Sequence, residues 1–355
     1  MSMAVKGRGA RSNQSGRFEA DRREDFDDGW HDGDQDLPPL RTSLSVERAR
    51  TIITRNNSPD IGFDRSINPY RGCEHGCIYC YARPAHAYMG LSPGLDFESR
   101  LFFKPDGARL LEQELSKPRY APRPIHIGGN TDPYQPVERQ TLATRQILEV
   151  LQRFNHPLSI ITKSVLIARD ADILGAMGRQ GLAVASISIT TLDRKLARAM
   201  EPRASTPTRR LEAISRLTDA GCPVAVSFAP VIPGLNDHEL EAVLEASRKA
   251  GAVCAHYVTL RLPLEIKDLF REWLRDARPD RAERVMSLVR QTRGGLDYDA
   301  NWNQRMTGSG PVADLISTRF RAARRRYGLD GPRPSLDVSR FRVPTGARAQ
   351  LDLFG

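Results

Sequence analysis

The chain has 355 residues, of which 40% are apolar and 27% are charged, with a formal net charge of +10. This apolar content is sufficient for a folded core, so the composition excludes a wholly disordered chain. No apolar run is long enough to span a membrane, and residues 1–16 lack the apolar centre of a signal peptide, so we expect a cytoplasmic protein with no membrane association.

The charge is distributed unevenly along the chain. Residues 19–36 carry nine Asp or Glu side chains against only Arg22 and Arg23, so the remainder is more basic than the total indicates. An excess of arginine is typical of proteins that bind nucleic acid or phosphorylated substrates. Nucleic acid is therefore a candidate partner, and a basic surface that merely contacts solvent is the alternative.

The N-terminal region divides into two segments by composition. Residues 1–37 combine Gly, Ser, Asp and Arg with few apolar positions, which predicts a disordered arm. Residues 38–64 are more apolar and are predicted to form a lead-in segment that packs on the core.

Three cysteines follow within eight residues, at Cys73, Cys77 and Cys80, and Gly72 and Gly76 allow the backbone to turn tightly between them. This spacing predicts ligands to one metal ion or one cluster. Four-iron clusters are normally held by four cysteines, so three would leave one iron free for a ligand that is not protein.

Two other interpretations of these cysteines are a disulfide and a zinc site. A disulfide with a spare thiol does not suit a chain with five cysteines and no secretory signal. A zinc site completed by His75 or His86 stays open, although structural zinc sites usually combine two separated pairs of ligands.

Apolar strands and amphipathic helices alternate after the cysteines, which is typical of parallel strands joined by crossover helices. The predicted strands are residues 124–127, 158–162, 182–190, 223–228 and 253–260. The predicted helices are residues 137–154, 165–177, 208–220 and 237–249. With a strand before Cys73 the count reaches six repeats, so we predict an α/β fold, a partial (β/α)6 TIM-like barrel over residues 65–265.

An open doubly wound sheet would alternate in the same way, but the two folds differ in which side chains alternate along a strand. In the fourth predicted strand, Ile187 falls on one face while Ser186 and Ser188 fall on the other. Polar residues on one face favour a barrel interior that holds a ligand. Lys163, at the end of the third strand, could reach a carboxylate there, or it is a surface lysine.

The alternation ends near residue 265. Helices are predicted at residues 264–275, 281–290 and 313–327, so residues 266–328 are assigned to a helical C-terminal extension. The proline-containing residues 329–355 are predicted to be an irregular tail.

The C-x3-C-x2-C spacing, with Tyr79 just before Cys80, resembles the signature of the radical S-adenosylmethionine (SAM) superfamily. The sequence Asn-Pro-Tyr-Arg-Gly-Cys at residues 68–73, together with Thr-Asp-Pro-Tyr-Gln-Pro-Val-Glu at residues 131–138, is similar to a bacterial group related to spore photoproduct lyase and often labelled DNA repair photolyase-like.

This resemblance implies an iron-sulfur enzyme with a lyase-like or other radical reaction. Cys73, Cys77 and Cys80 would hold a 4Fe-4S cluster whose free iron binds S-adenosylmethionine. A flavodoxin- or ferredoxin-like external electron donor would start cleavage to methionine and a 5'-deoxyadenosyl radical, which attacks an unidentified substrate. The alternative is a nucleic-acid-binding protein that contains zinc or a cluster and has no radical chemistry.

The resemblance also implies contacts to S-adenosylmethionine. The glycine-rich loop after the second strand would receive the methionine amino group, cations would bind its carboxylate, polar side chains of the fourth strand would contact the ribose and carboxylate, and aromatic and apolar side chains would pack on adenine. These residues are Gly128, Gly129, Asn130, Lys163, Arg203, Ser186, Ser188, Tyr79 and Ile232.

One position departs from the lyase pattern. Spore photoproduct lyase supplies a hydrogen atom from a cysteine just after the second strand, and residues 128–132 contain none. Cys222 and Cys254 are predicted to be inert, buried strand residues, so we do not expect dimer reversal by the same chemistry. Asp132, Tyr134 and Tyr257 are candidates to face the substrate, with no role assigned.

Overall fold

The computed structural model describes residues 7–19 and 40–344. The strands of this part are β1 (Ser43–Val46), β2 (Thr54–Arg55), β3 (Arg65–Ile67), β4 (Tyr70–Arg71), β5 (Arg100–Phe103), β6 (Ile125–Ile127), β7 (Leu158–Thr162), β8 (Ala183–Ser188), β9 (Val224–Val231) and β10 (Cys254–Thr259). The helices are α1 (Leu95–Ser99), α2 (Gly107–Leu115), α3 (Glu138–Thr141), α4 (Ala143–Arg153), α5 (Ala171–Gly178), α6 (Arg194–Met200), α7 (Pro207–Asp219), α8 (Leu240–Lys249), α9 (Ile266–Ala277), α10 (Ala282–Gln291) and α11 (Pro311–Arg326). Short 3-10 helices cover Arg83–Met89, Val165–Asp170 and Asp237–Glu239.

The main sheet has seven strands in the order β10-β9-β8-β7-β6-β3-β2. Strands β3, β6, β7, β8, β9 and β10 pair in parallel, and β2 adds an antiparallel edge. The six parallel strands confirm the predicted partial barrel, because each pair is joined by a crossover connection with its helices on the outside.

The two faces of this sheet differ as the parity of β8 predicts. Ile160, Ile187 and Val226 belong to the large apolar core that also contains Leu148 of α4 and Ile214 of α7. The alternate residues of β8 and β9 turn the other way, and Ser188 lies beside Ser227 in the parallel register. One face is therefore packed against helices, and the opposite face lines a polar barrel interior.

Several elements were missed by the sequence analysis. A small second sheet joins β1, β5 and β4, and helices α2 and α6 were not predicted. Strands of two to four residues are too short to carry a periodic signal. Helix α6 begins after Asp193, whose side chain caps it by accepting from the backbone N–H groups of Lys195 and Leu196.

The single helix predicted over residues 137–154 is two helices, α3 and α4. Leu142 separates them in a left-handed conformation, with φ of 53°. A leucine rarely adopts this conformation, so sequence propensity did not reveal the break.

Residues 7–19, which belong to the arm predicted to be disordered over residues 1–37, include buried positions. Arg8 is 3% exposed and Ala10 is fully buried, against the segment that carries the three cysteines. The prediction rested on the low apolar content of this segment, but its small side chains allow the backbone to approach the core closely. Residues 1–6 and 20–37 of the predicted arm lie outside the described residues.

Irregular chain follows α11 and runs across the N-terminal ends of the barrel strands. The backbone of residues 329–344 makes hydrogen bonds just before or at the start of β10, β8 and β7, through Ala255 N–H to Leu329, Asp337 N–H to Gly181 and Arg342 N–H to Phe154. Residues 345–355 of the predicted tail lie outside the described part.

The partial barrel is open between β10 and β2, and two loops bridge this gap near the C-terminal ends of the strands. Thr259 N–H donates to Met306 O at 2.9 Å, while Asn303 N–H donates to Asp60 Oδ1 at 2.6 Å. Arg305 forms an ion pair with the same Asp60 carboxylate. In the described ranges 7–19 and 40–344, no helix has the length and apolar character needed to cross a membrane.

Candidate active site

The loop that contains Cys73, Cys77 and Cys80, here called the cysteine loop (residues 72–80), follows β4. Its backbone is anchored at both ends, because Cys73 N–H donates to Phe97 O at 2.9 Å and Ile78 N–H donates to Met200 O at 3.0 Å. Gly72 and Gly76 have φ of 73° and 65°, which favours glycine at both turns. The three thiols are thereby brought into one loop at the barrel mouth.

These thiols are largely shielded from solvent and unoxidised. Cys73 and Cys77 are 7% and 8% exposed, and neither they nor the half-buried Cys80 form a disulfide. Burial raises the pKa of each thiol, and Lys163 opposes this shift at Cys77 and Cys80. Binding to a metal would hold them as thiolates.

The two histidines considered as zinc ligands are committed elsewhere. His75 Nδ1 lies 3.2 Å from Asp132 Oδ2, and His86 Nε2 lies 3.0 Å from the carbonyl oxygen of Arg100. In residues 7–19 and 40–344, no three His, Cys, Asp or Glu side chains converge closely enough to hold a single ion. Three cysteines within one loop are a ligand set that iron-sulfur clusters use.

The glycine-rich loop after β6 lies beside the cysteine loop. Gly128 has φ of 90°, and a Cβ atom there would lie 2.6 Å from the carbonyl oxygen of Ile161. The hydroxyl of Tyr81 donates to Gly129 O, and the exposed Asn130 donates its backbone N–H to Asn68 Oδ1 at 2.9 Å. Glycine at 128 thus permits a close approach that another residue would prevent.

Asp132 ties this loop to β7 and to the cysteine loop. It accepts from Thr162 Oγ1 at 2.7 Å, from the backbone N–H of Lys163 at 2.8 Å and from that of Tyr134 at 2.9 Å. Burial raises its pKa, but His75 and these hydrogen bonds outweigh burial and lower the pKa to about 2. Its carboxylate therefore holds the site together, which differs from the substrate-facing position considered from sequence.

Tyr134 and Tyr257 also lie away from the mouth. Tyr134 is fully buried and donates to Asp170 Oδ2 at 3.0 Å. Tyr257 packs against Phe320 of α11, with ring centroids 4.6 Å apart, on the outer side of the sheet.

Lys163, Tyr79 and Ile232 meet around Cys77. Lys163 Nζ lies 5.8 Å from the centroid of the Tyr79 ring, and Tyr79, Ile232 and Cys77 belong to one apolar cluster with Phe270 and Trp273 of α9. The structure thus brings a cation and two apolar contacts to the cysteine loop. Their assignments as ligand contacts stay predictions.

The two serines of β8 have different surroundings. Ser188 Oγ donates to the carbonyl oxygen of Ala229 at 3.2 Å. Ser186 Oγ is buried and has no hydrogen-bond partner among the described residues. A buried hydroxyl without a partner is costly, so Ser186 is the better placed of the two to meet a bound molecule in the barrel interior.

Arg203 and Lys163, the two cations predicted to bind a carboxylate, have different partners. Its Nη2 atom pairs with Glu74 Oε1 at 3.0 Å, and its backbone N–H donates to His75 O at 3.3 Å. These contacts attach Arg203 to the cysteine loop, and its predicted contact with a carboxylate remains a prediction.

Sequence reasoning missed a buried ion pair beneath Tyr79. Glu201 and Arg210 side chains are 0% and 1% exposed and pair with each other, and Glu201 also accepts from the Tyr79 hydroxyl and from Thr190 Oγ1. Arg210 Nη1 donates to Ser188 O at 3.0 Å. No spacing rule joins these residues, and the only sequence signal is an arginine in the first turn of α7.

Residues 67–246 match the sequence model of the Radical SAM superfamily. The chain belongs to this superfamily, and it is accordingly a radical SAM enzyme. The family match covers the cysteine loop, the glycine-rich loop, β8 and the Ile232 region.

Among known proteins, the chain is similar to a Mycobacterium tuberculosis protein, with 34% identity over 237 residues that cover 66% of this chain and 70% of the relative. It is also similar to a Methanocaldococcus jannaschii protein, with 28% identity over 173 residues, 49% of this chain and 62% of the relative.

Among solved structures, the chain resembles spore photoproduct lyase complexed with dinucleoside spore photoproduct, with a TM-score of 0.54, 15% identity and coverage of 80% of this chain and 78% of the other. A variant of that lyase with bound AdoMet and the same photoproduct has a TM-score of 0.51, 15% identity and coverage of 80% and 77%. These similarities show a shared fold.

Proposed function

We propose that the protein binds a 4Fe-4S cluster through Cys73, Cys77 and Cys80 and uses S-adenosylmethionine bound beside it. With an electron from an external flavodoxin- or ferredoxin-like donor, the cluster would supply reductive cleavage of S-adenosylmethionine to methionine and a 5'-deoxyadenosyl radical that abstracts hydrogen from the substrate. The observation that supports this proposal is that three thiols, two buried and one half-buried, lie in one loop beside Lys163 and the glycine-rich loop at one end of the parallel strands.

The residues around the thiols fit the parts of S-adenosylmethionine. The backbone of the glycine-rich loop, which includes Gly128 and Gly129, would receive the amino group, and Lys163 offers a cation to the carboxylate. Ser186 offers the unpartnered hydroxyl, and Ile232 and Tyr79 offer apolar surface to adenine. The chain thereby orients the sulfonium group and excludes water from the reacting atoms.

Nucleic acid is the substrate class that we propose. At the mouth, Tyr81 is 48% exposed, and the guanidinium of Arg261 lies over its ring at 5.3 Å from the centroid. Trp302, in the bridging loop, is 54% exposed. An exposed aromatic ring beside a cation is suited to stacking on bases, and the similar lyase is complexed with a dinucleoside.

A cysteine hydrogen donor is not part of this proposal. All five cysteines of the chain are described, and the two outside the cysteine loop lie at the opposite end of the barrel from the mouth. Cys254 is the first residue of β10, and Cys222 lies two residues before the first residue of β9. The reaction is therefore distinct from one that takes hydrogen from a thiol beside the glycine-rich loop.

The proposal is tested by anaerobic reconstitution with iron and sulfide, followed by assay of 5'-deoxyadenosine after addition of a strong reductant, with and without single-stranded DNA, duplex DNA or RNA. We expect cleavage that one of these nucleic acids stimulates. A full cluster without any cleavage would contradict the enzymatic proposal. Bound zinc in place of iron and sulfide would favour the nucleic-acid-binding alternative.

Replacing Lys163 with methionine is expected to weaken S-adenosylmethionine binding by about tenfold to a hundredfold, because a charge-assisted contact to its carboxylate is lost. Equilibrium dialysis with the reconstituted protein measures this change. Lys195→Met, on the exposed side of α6, is the matched control.

Binding of decarboxylated S-adenosylmethionine tests whether Lys163 contacts the carboxylate group. If Lys163 binds the carboxylate, the decarboxylated ligand binds equally to the original protein and to Lys163→Met. An equal loss for both ligands would assign Lys163 another role.

A further inference from the structure

Residues 7–13, here called the N-terminal strap, lie along the outer side of the cysteine loop. The backbone N–H groups of Gly9 and Ala10 each donate to a different carboxylate oxygen of Glu98, both at 2.8 Å. Arg8 Nη1 donates to the backbone oxygen of Glu98 at 2.5 Å. The strap is therefore fixed to one buried residue by its backbone as well as by a side chain.

Glu98 connects the strap to the cysteine loop through Arg83. The side chains of Glu98 and Arg83 are both 0% exposed and pair at 2.5 Å. Arg83 in turn donates from Nε to Cys77 O at 2.9 Å and from Nη2 to Gly76 O at 3.1 Å. A continuous set of charge-assisted hydrogen bonds thus runs from the strap to the carbonyl group of a cysteine predicted to bind iron.

A second connection reaches the other end of the loop. Arg8 Nη2 donates to Thr42 Oγ1 at 3.0 Å, and Thr42 Oγ1 donates to Glu74 Oε1 at 2.5 Å. Glu74 directly follows Cys73 and also pairs with Arg203. The strap is therefore linked to the segments of both of the first two cysteines, through Thr42 on one side and through Glu98 and Arg83 on the other.

Gly9 also touches the loop directly. A Cβ atom at Gly9 would lie 1.8 Å from the carbonyl oxygen of Gly76, and Gly9 does not have the positive φ that favours glycine. Glycine is therefore required here by close packing against the cysteine loop and not by an unusual backbone conformation.

We propose that the N-terminal strap is part of the cluster site, where it positions the cysteine loop for ligation and covers its outer side. This inference rests on the proposed function for the identity of the group that the loop binds. Outer contacts of this kind orient metal ligands, and their loss typically lowers metal affinity by about 10- to 100-fold. Residues 7–13 would then act as positioning residues for Cys73 and Cys77.

The test uses Gly9→Ala in the full chain, with Gly331→Ala as the matched control because a Cβ atom at Gly331 meets no atom within 4 Å. After anaerobic reconstitution, the visible absorbance of the cluster is followed during exposure to air. We expect Gly9→Ala to lose its cluster about tenfold faster than the original protein. Gly331→Ala should match the original.

A second measurement separates loop positioning from general folding. Amide hydrogen exchange in the iron-free protein should be faster across residues 73–80 in Gly9→Ala, with unchanged protection in β7 and β8. Thr42→Val, which removes the second connection without steric conflict, should show the same effect more weakly.

The outcomes are distinct from those that test the proposed function. Loss of protection throughout the barrel, or equal cluster loss in Gly9→Ala and Gly331→Ala, would overturn the positioning role. A stable cluster that never cleaves S-adenosylmethionine would contradict the proposed function and leave the cluster-retention comparison intact. If the original protein takes up no iron, the exchange measurement still decides whether the strap holds the loop.

Discussion

Replacing Cys77 with alanine is expected to eliminate the iron-sulfur cluster and reduce 5'-deoxyadenosine formation to background. Only three cysteines lie in the cysteine loop, so the variant would retain two ligands for a group that normally takes four. We expect neither His75 nor His86 to replace the missing thiolate, because His75 Nδ1 faces the Asp132 carboxylate and His86 Nε2 lies 3.0 Å from the carbonyl oxygen of Arg100. Iron and sulfide content and product formation are measured after identical anaerobic reconstitution.

Cys254→Ala is the matched control for this prediction. Cys254 is also a buried cysteine, 6% exposed, but it begins β10 at the far end of the barrel. We expect it to retain cluster content and cleavage. A Cys77→Ala protein with a full cluster and normal cleavage would show that the ligands have been misassigned.

Arg210→Met is expected to destabilise the protein by about 3–5 kcal/mol, because it leaves Glu201 as a buried charge without its partner. The substitution also removes donors to Ser188 O and Ser205 O. Urea denaturation of the iron-free protein measures the free energy of unfolding. Since Glu201 accepts from Tyr79, we also expect weaker cluster retention.

The adjacent Arg209 provides the control. Its side chain is 58% exposed and pairs with Glu212 on the surface of α7, so Arg209→Met should change stability by less than about 0.5 kcal/mol. Equal destabilisation by the two substitutions would mean that the buried pair has no special role. Replacing Glu201 with leucine in the Arg210→Met background should recover part of the loss, because the unpaired charge is removed.

The pH dependence of the Arg210 effect follows from Glu201. Burial raises the pKa of this carboxyl, but Arg210, Lys163 and hydrogen bonds lower it from 4.5 to about 2. The folded state thus favours the charged form, and this stabilisation is present above pH 4.5 and is lost as the pH falls towards 2. Without Arg210 burial dominates, so the stability difference between variant and original protein should shrink as the pH is lowered from 7 to 4. A constant difference would contradict this account.

The sequence predicted the barrel well because its signal is local. The residues of β7 were predicted without error at both ends, and the parity of β8 correctly separated a helix-packed face from a polar face. Short strands such as β4 and the break at Leu142 depend on distant partners or on an uncommon backbone conformation, so no local pattern indicated them.

The candidate site likewise has parts that can be recognised from neighbouring residues in the sequence and parts that depend on residues far apart in the chain. The cysteine loop and the glycine-rich loop are short motifs that can be recognised in sequence. The contacts that hold them depend on pairs far apart in the chain, such as Gly9 with Glu98 and Tyr79 with Glu201. The composition predicted that Gly9 belongs to a disordered arm, because a low apolar content does not reveal where a backbone packs closely.

The apolar wall behind Cys77 has a consequence for biosynthesis. Cys77 emerges from the ribosome early, whereas Phe270 and Trp273 of the same apolar cluster emerge much later. Ser12 of the strap likewise emerges long before Glu272, to which its hydroxyl donates at 2.8 Å. Until α9 has been translated and folded, Cys77 lacks this apolar cover. A chain on the ribosome that has not yet reached α9 would therefore present the Cys77 thiol to the cell's oxidants without the apolar cluster of the finished fold.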